Sequence, residues 1–159
     1  MYRKILVPLD GSKLAEAALR HARAFAHCTG AELVLLRIVS YSLHDLIVTD
    51  PTFSSTLTED LLAIRHRAES YLEETAAVLR RDGLRVRTEV YDDSRAADAI
   101  LDYADSHQVD LIIISTHGRS GVTRWLLGSV ADRIVQGARA PVLLVRGCSG
   151  GNPDAAQAN

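Results

Sequence analysis

The stretch Val109-Asp-Leu-Ile-Ile-Ile114-Ser-Thr-His-Gly118, followed after nine residues by Gly128-Ser129-Val130, decides the fold. Leu111 to Ile114 is an unbroken apolar run of the length of one strand, with no polar side chain to face water. A glycine-containing loop over 115–128 follows it. Ser129 then opens a helix through Val130, Ile134 and Val135. Strand, glycine loop and helix in that order form half of a βαβ unit, and the remainder of the chain repeats the theme.

Downstream, Pro141 stands at the entrance of a last strand, Val142 to Val145. Upstream, Ser94 is placed to cap a helix carrying Ala97, Ile100, Leu101 and Ala104. Leu84, Val86, Thr88 and Val90 alternate with polar residues, as expected of an edge strand with one wet face. Thr56 and Glu59 have capping-box spacing, and Leu57, Leu61, Ile64, Ala68, Leu72, Thr75 and Leu79 mark one face of a long helix ended by Gly83. Residues 40–56, with Pro51, show no period and read as a long loop, a common place for a lid or binding segment. Leu33 to Val39 is a strand, apolar apart from Arg37. Ile5 to Leu9 is another, broken by Asp10-Gly-Ser12, after which Leu14, Ala17, Ala18, Ala22 and Phe25 recur at helical spacing up to Gly30.

The order βαβαβαβαβ predicts an α/β fold: one doubly wound, five-stranded parallel sheet with helices on both faces. Ligands of such sheets bind beyond the carboxyl ends of the strands, where the strand order reverses. In the order 3-2-1-4-5 the reversal falls between strands one and four. The two least ordinary segments, Pro8-Leu-Asp-Gly11 and Ser115 to Ser129, follow those two strands.

Composition bounds the function. The 159 residues fit one domain, residues 1–146, with a Gly/Ser/Asn/Ala/Gln-rich tail, 147–159, read as disordered. The net charge of −2, with basic and acidic residues mixed along the chain, argues against a nucleic-acid-binding surface. No apolar run approaches the ~18 residues that span a bilayer, so no membrane partner is expected. The two cysteines, Cys28 and Cys148, lack metal-ligand spacing and suggest a reducing, cytoplasmic compartment.

Glycines at 118 and 128 would let backbone amides approach a ligand, and a helix opening at Gly128-Ser129 offers free N–H groups to a phosphate. The same glycines serve equally as turn residues and a helix cap. The segment is neither a Walker loop, since no Lys-Ser/Thr pair follows the glycines, nor a G-x-G-x-x-G fingerprint. Asp10 suits either a helix cap or a ligand contact. His117 has no carboxylate at a spacing that would orient it as a general base.

Together these segments resemble the universal stress protein family. Its ATP-binding members carry G-x-x-G-x(9)-G-[S/T] after the fourth strand, matched here by Ser115-Thr-His-Gly118, nine residues, and Gly128-Ser129. The opening Lys4-Ile-Leu-Val-Pro-Leu-Asp10-Gly-Ser12 and the closing Ala140-Pro-Val-Leu-Leu-Val-Arg146 also resemble the family's. The resemblance spans residues 1–146 and departs at Ser115, where the family has its first motif glycine.

The resemblance implies a Rossmann-like site for ATP or another adenine nucleotide, with or without magnesium. Pro8, Leu9 and Asp10 would line it, with the Asp10 carboxylate on the ribose. Ile38 would offer backbone hydrogen bonds to adenine. Ser115, His117, Gly118, Arg119, Gly128, Ser129 and Val130 would surround the ribose and phosphates. The family also implies a stress-response or signalling module and a homodimer through the apolar edge strand Val142 to Val145. A nucleotide-free dimerisation protein on the same fold and a very slow ATPase are the alternatives.

Overall fold

The computed structural model describes residues 2–40, 54–118 and 128–148, with the backbone alone for 54–58, 60, 117, 118 and 148. Its elements are β1 (Lys4–Pro8), α1 (Lys13–Thr29), β2 (Glu32–Val39), α2 (Ser54–Arg81), β3 (Val86–Asp92), α3 (Ala96–Ser106), β4 (Leu111–Gly118), α4 (Ser129–Gly137) and β5 (Val142–Cys148). The strands form one sheet in the order β3-β2-β1-β4-β5, and every pairing is parallel, as the element order predicts.

Side chains of a strand alternate between faces, and the apolar runs therefore feed two cores. Ile5, Val7, Leu33, Leu35, Leu111 and Ile113 lie in the layer under α1 and α2. Leu6, Val34, Leu36, Ile112 and Ile114 lie in the opposite layer, under α3 and α4. The buried stripe of α1 is Ala15, Ala18, Ala22 and Ala26, so this helix lies close to the sheet over β1, β4 and β5. The longer stripe of α2 places the fully buried Leu72 over β2 and β3. Each such leucine contributes roughly 1.5–3 kcal/mol on burial.

Ser12 caps α1, its hydroxyl accepting from the Ala15 amide at 3.1 Å. At the other end the Gly30 amide donates to the Ala26 carbonyl. Four boundaries differ from the sequence reading. Helix α2 begins at Ser54 rather than Thr56. Ser94 does not cap α3; the Asp93 carboxylate accepts from the Arg95 amide at 2.7 Å and turns the chain into the helix instead. Strand β4 continues past Ile114 through Gly118, and β5 past Val145 through Cys148, because the two strands go on pairing with each other. That pairing uses backbone groups and carries Ser115 and Thr116 without any apolar signal. Of the predicted loops, 41–53 and 119–127 lie outside the described residues, as does the tail from 149 onward.

The two sheet edges are dressed differently. On β3 the peptide groups of Val86 and Val90 point away from β2, since the neighbouring Arg85 carbonyl is the one that accepts from Leu33. Two arginines of α2 reach these outward carbonyls. Arg80 donates to Val86 O at 2.9 and 3.1 Å, and Arg65 donates to Val90 O at 3.3 Å. The β5 edge is apolar, with Leu144 at 38% exposed.

Candidate functional site

Beyond β1 the chain stays tied to β2 for one more residue, the Leu9 amide donating to Leu36 O at 2.8 Å. It then turns at Asp10 and Gly11 into the cap of α1. Gly11 has φ +85°, a conformation that favours glycine. The Asp10 Oδ1 accepts from the Ser12 amide at 2.8 Å and closes the turn. Burial opposes the charge on Asp10. The Ser12 hydroxyl and amide, with Arg37 nearby, outweigh it and hold the carboxyl below its usual range.

Between this turn and the opening of α4 lies a cleft of about 220 Å³. It sits at the carboxyl ends of β1 and β4, where the strand order reverses. Pro8, Leu9, Asp10, Ile38, Ser115, Gly128, Ser129 and Val130 all line it, so the structure gathers eight of the eleven residues expected there. His117 and Gly118 belong to β4, their backbones paired with Gly147 and Cys148, and their side chains lie outside the described residues. Arg119 lies outside the described residues. Leu14 and Ala96 were not expected; helical spacing marks Leu14 only as part of the packing face of α1 and does not single out Ala96 on α3.

The lining is graded. On the β2 side the lining is apolar, with Leu36 and Ile38, and Ile100 of α3 and Ile114 of β4 add further apolar surface. The Ile38 peptide groups face the same way as those of Leu36, because the intervening and following groups alternate and Val39 O is taken by the Asp93 amide. They therefore point to the β1 side of the sheet, past Pro8↔Leu36, the last β1–β2 pair. The middle carries the Asp10 carboxylate. The far end is the N-terminus of α4, where Gly128 precedes the helix and no side chain caps it. The first-turn amides of such a helix lack intrahelical acceptors and stand at the positive end of its dipole. A flat apolar group, a polyol and an anion fit these three zones in turn. Among the described residues no cluster of His, Cys, Asp or Glu is placed to hold a metal ion, and no helix is long and apolar enough to cross a membrane.

Known proteins share this fold. The chain is 31% identical to the universal stress protein MJ0531 of Methanocaldococcus jannaschii over 146 residues, covering 92% of this chain and 83% of that one. The solved structure of protein MJ0577 superposes with a TM-score of 0.76 at 28% identity, covering 94% of this chain and 99% of that one. A universal stress protein of Archaeoglobus fulgidus, solved in complex with dAMP, shares the fold with a TM-score of 0.62 at 23% identity, over 90% of this chain and 97% of that one. Residues 1–146 match the universal stress protein family, and the chain belongs to it.

Proposed function

We propose that the cleft binds ATP or a closely related adenine nucleotide and that the protein works as a nucleotide-responsive stress or signalling module of the cytoplasm. The observation that carries this reading is the placement of Asp10 between an apolar end at Ile38 and the uncapped α4 terminus at Gly128 and Ser129. Adenine stacks at the apolar end and bonds to the Ile38 backbone. The ionised Asp10 accepts from ribose hydroxyls, and the phosphates meet the α4 amides and the Ser129 hydroxyl. That the Archaeoglobus fulgidus protein was solved in complex with dAMP supports this reading. Magnesium, where present, travels with the phosphates. Hydrolysis lies well below the ~1–10³ s⁻¹ of ordinary enzymes, since the glycine motif has no P-loop lysine and, among the described residues that line the cleft, the one carboxylate, Asp10, is assigned to the ribose.

Calorimetric titration of ATP and AMP into the purified protein, alongside mass spectrometry of any retained nucleotide, tests the reading. Saturable ATP binding that Asp10→Ala weakens supports it; no binding by a folded protein overturns it. Ser115 favours a second reading. It lines the cleft where the family motif has glycine, and a side chain there takes space from the ligand. A nucleotide-free protein that acts by pairing through β5 would then remain, and restored binding in Ser115→Gly would identify it. The apolar β5 edge suits a homodimer in either case.

A further inference from the structure

Arg37 interrupts the apolar run Leu33 to Val39 of β2. It lies on the β2 face that carries Leu33 and Leu35, half-buried beneath α1 and α2. A guanidinium in such a layer requires compensation. Two neighbours supply it. From α2, the Tyr71 ring stands 5.3 Å from the Arg37 Cζ, within cation–π range. From the other side, the β1–α1 turn folds over the guanidinium. A Cβ on Gly11 would stand 2.9 Å from Arg37 Nη1 and 3.3 Å from Nη2. Gly11 is thus doubly constrained, by its positive φ and by the arginine filling the space behind it. The Tyr71 hydroxyl donates to Glu16 Oε1 at 3.3 Å, and Glu16 pairs with Lys13 at 2.9 Å. Helix α2, strand β2 and the first turn of α1 therefore converge behind one tripeptide, Asp10-Gly11-Ser12.

We propose that Arg37 is a positioning residue for the ligand site. From behind the β1–α1 turn it fixes Gly11 and steadies the Asp10 carboxylate that faces the cleft, without itself lining the cleft. The inference rests on the reading that Asp10 meets the nucleotide. Its electrostatic side has a definite sign. The groups facing the guanidinium are the carboxylates of Asp10 and Glu16, the Lys13 ammonium beyond Glu16, and the Tyr71 phenol, which burial pushes up to about 12. Arg37 favours the charged form of Asp10. Removing it raises the pH at which Asp10 takes up a proton and stops accepting from a ribose hydroxyl.

The test pairs two measurements on the full chain. Asp10 is titrated by carboxyl-carbon NMR, its signal assigned with Asp10→Asn, and ATP affinity is measured across the acid range. In Arg37→Met the Asp10 titration moves to higher pH and the acid limb of ATP affinity moves with it. Affinity at neutral pH falls about two- to fivefold, the scale of a partly exposed charge contact. Arg37→Lys restores the titration but only part of the affinity, because an ammonium does not stack on Tyr71 as a guanidinium does. Tyr71→Leu, which removes the ring and keeps the charge, weakens binding in the same direction and stands in if Arg37→Met does not fold. An Asp10 titration and acid limb identical in wild type and Arg37→Met would overturn the proposal. A wild type that binds no ATP overturns the nucleotide reading alone, and the Asp10 titration then decides the role of Arg37.

Discussion

Gly147 on β5 has no room for a side chain, because Leu14 in the first turn of α1 occupies the place its Cβ would take. The Leu14 Cδ1 is the nearest atom, with Cγ at 3.0 Å and the Leu14 carbonyl at 3.4 Å. Leu14 also lines the cleft, so the end of β5 is in direct register with a wall of the site.

The first prediction follows from that contact. Gly147→Ala destabilises the fold by about 1–3 kcal/mol, the usual cost of overpacking. Leu14→Ala opens the space, and the double variant is more stable than the sum of the two single changes predicts. Urea unfolding of the four proteins measures the coupling. Strictly additive effects would mean that the α1–β5 approach relaxes without cost.

The second concerns the ligand. Gly128→Val obstructs the α4 terminus and weakens ATP binding at least about tenfold, through loss of charge-assisted bonds of ~1.5–3 kcal/mol each. Ser129→Ala costs less, about 1 kcal/mol, since the amides remain. Ser115→Gly binds ATP as well as wild type or better. Calorimetry gives the affinities and circular dichroism the folding. A folded Gly128→Val that binds ATP like wild type would remove the α4 terminus from the site.

The third concerns acid stability. Asp110 ties the start of β1 to β4, its Oδ2 accepting from the Arg3 and Lys4 amides at 2.8 Å each. The Arg3 amide bond is the main reason its carboxyl lies below the usual range, burial working against it. A carboxyl depressed in the folded state contributes stability above its unfolded pKa of about 3.9, and that stability is lost as pH falls through the folded value. Asp110→Ala therefore lowers stability by about 1–3 kcal/mol at neutral pH, and the gap from wild type closes as the solution is acidified. Denaturant midpoints at pH 7 and in the acid range check both halves; a gap independent of pH would exclude the charge as its source.

The fourth concerns the β3 edge. Arg65→Ala with Arg80→Ala strips the donors from the outward carbonyls of Val90 and Val86. The stability cost is modest, about 1 kcal/mol per bond. The larger effect is a rise in concentration-dependent association, read by light scattering, as an uncovered edge invites pairing. Association unchanged from wild type would show that these arginines do not guard the edge.

The fold was legible because its signals are local. Four-residue apolar runs such as Leu111 to Ile114, separated by helical periodicity, admit few architectures other than a parallel sheet with helices on both faces. Asp10, Gly128 and Ser129 were legible as cleft-lining residues because the strand order puts their segments at the reversal point. The polar end of β4 was not, since Ser115 to Gly118 are held by pairing with β5 rather than by burial of apolar side chains. From sequence Asp10 suited the cap of α1; the structure gives the cap to Ser12 and leaves Asp10 to close the turn. Arg37 read as a blemish in a strand. Its meaning lies in Gly11 and Tyr71, which are distant in the chain and meet it only once the sheet and both helices are assembled.

The unequal dressing of the two edges also sets how large an assembly can grow. Strand β3 closes one side of the sheet with guanidinium groups, leaving β5 as the side available for pairing. Two chains meeting through β5 would build one continuous sheet from five strands of each. Both outer borders of that sheet are copies of β3, each already covered by its own arginines. Such a pair would offer a third chain only guarded borders, so association through this route would terminate at two copies rather than extend into a filament.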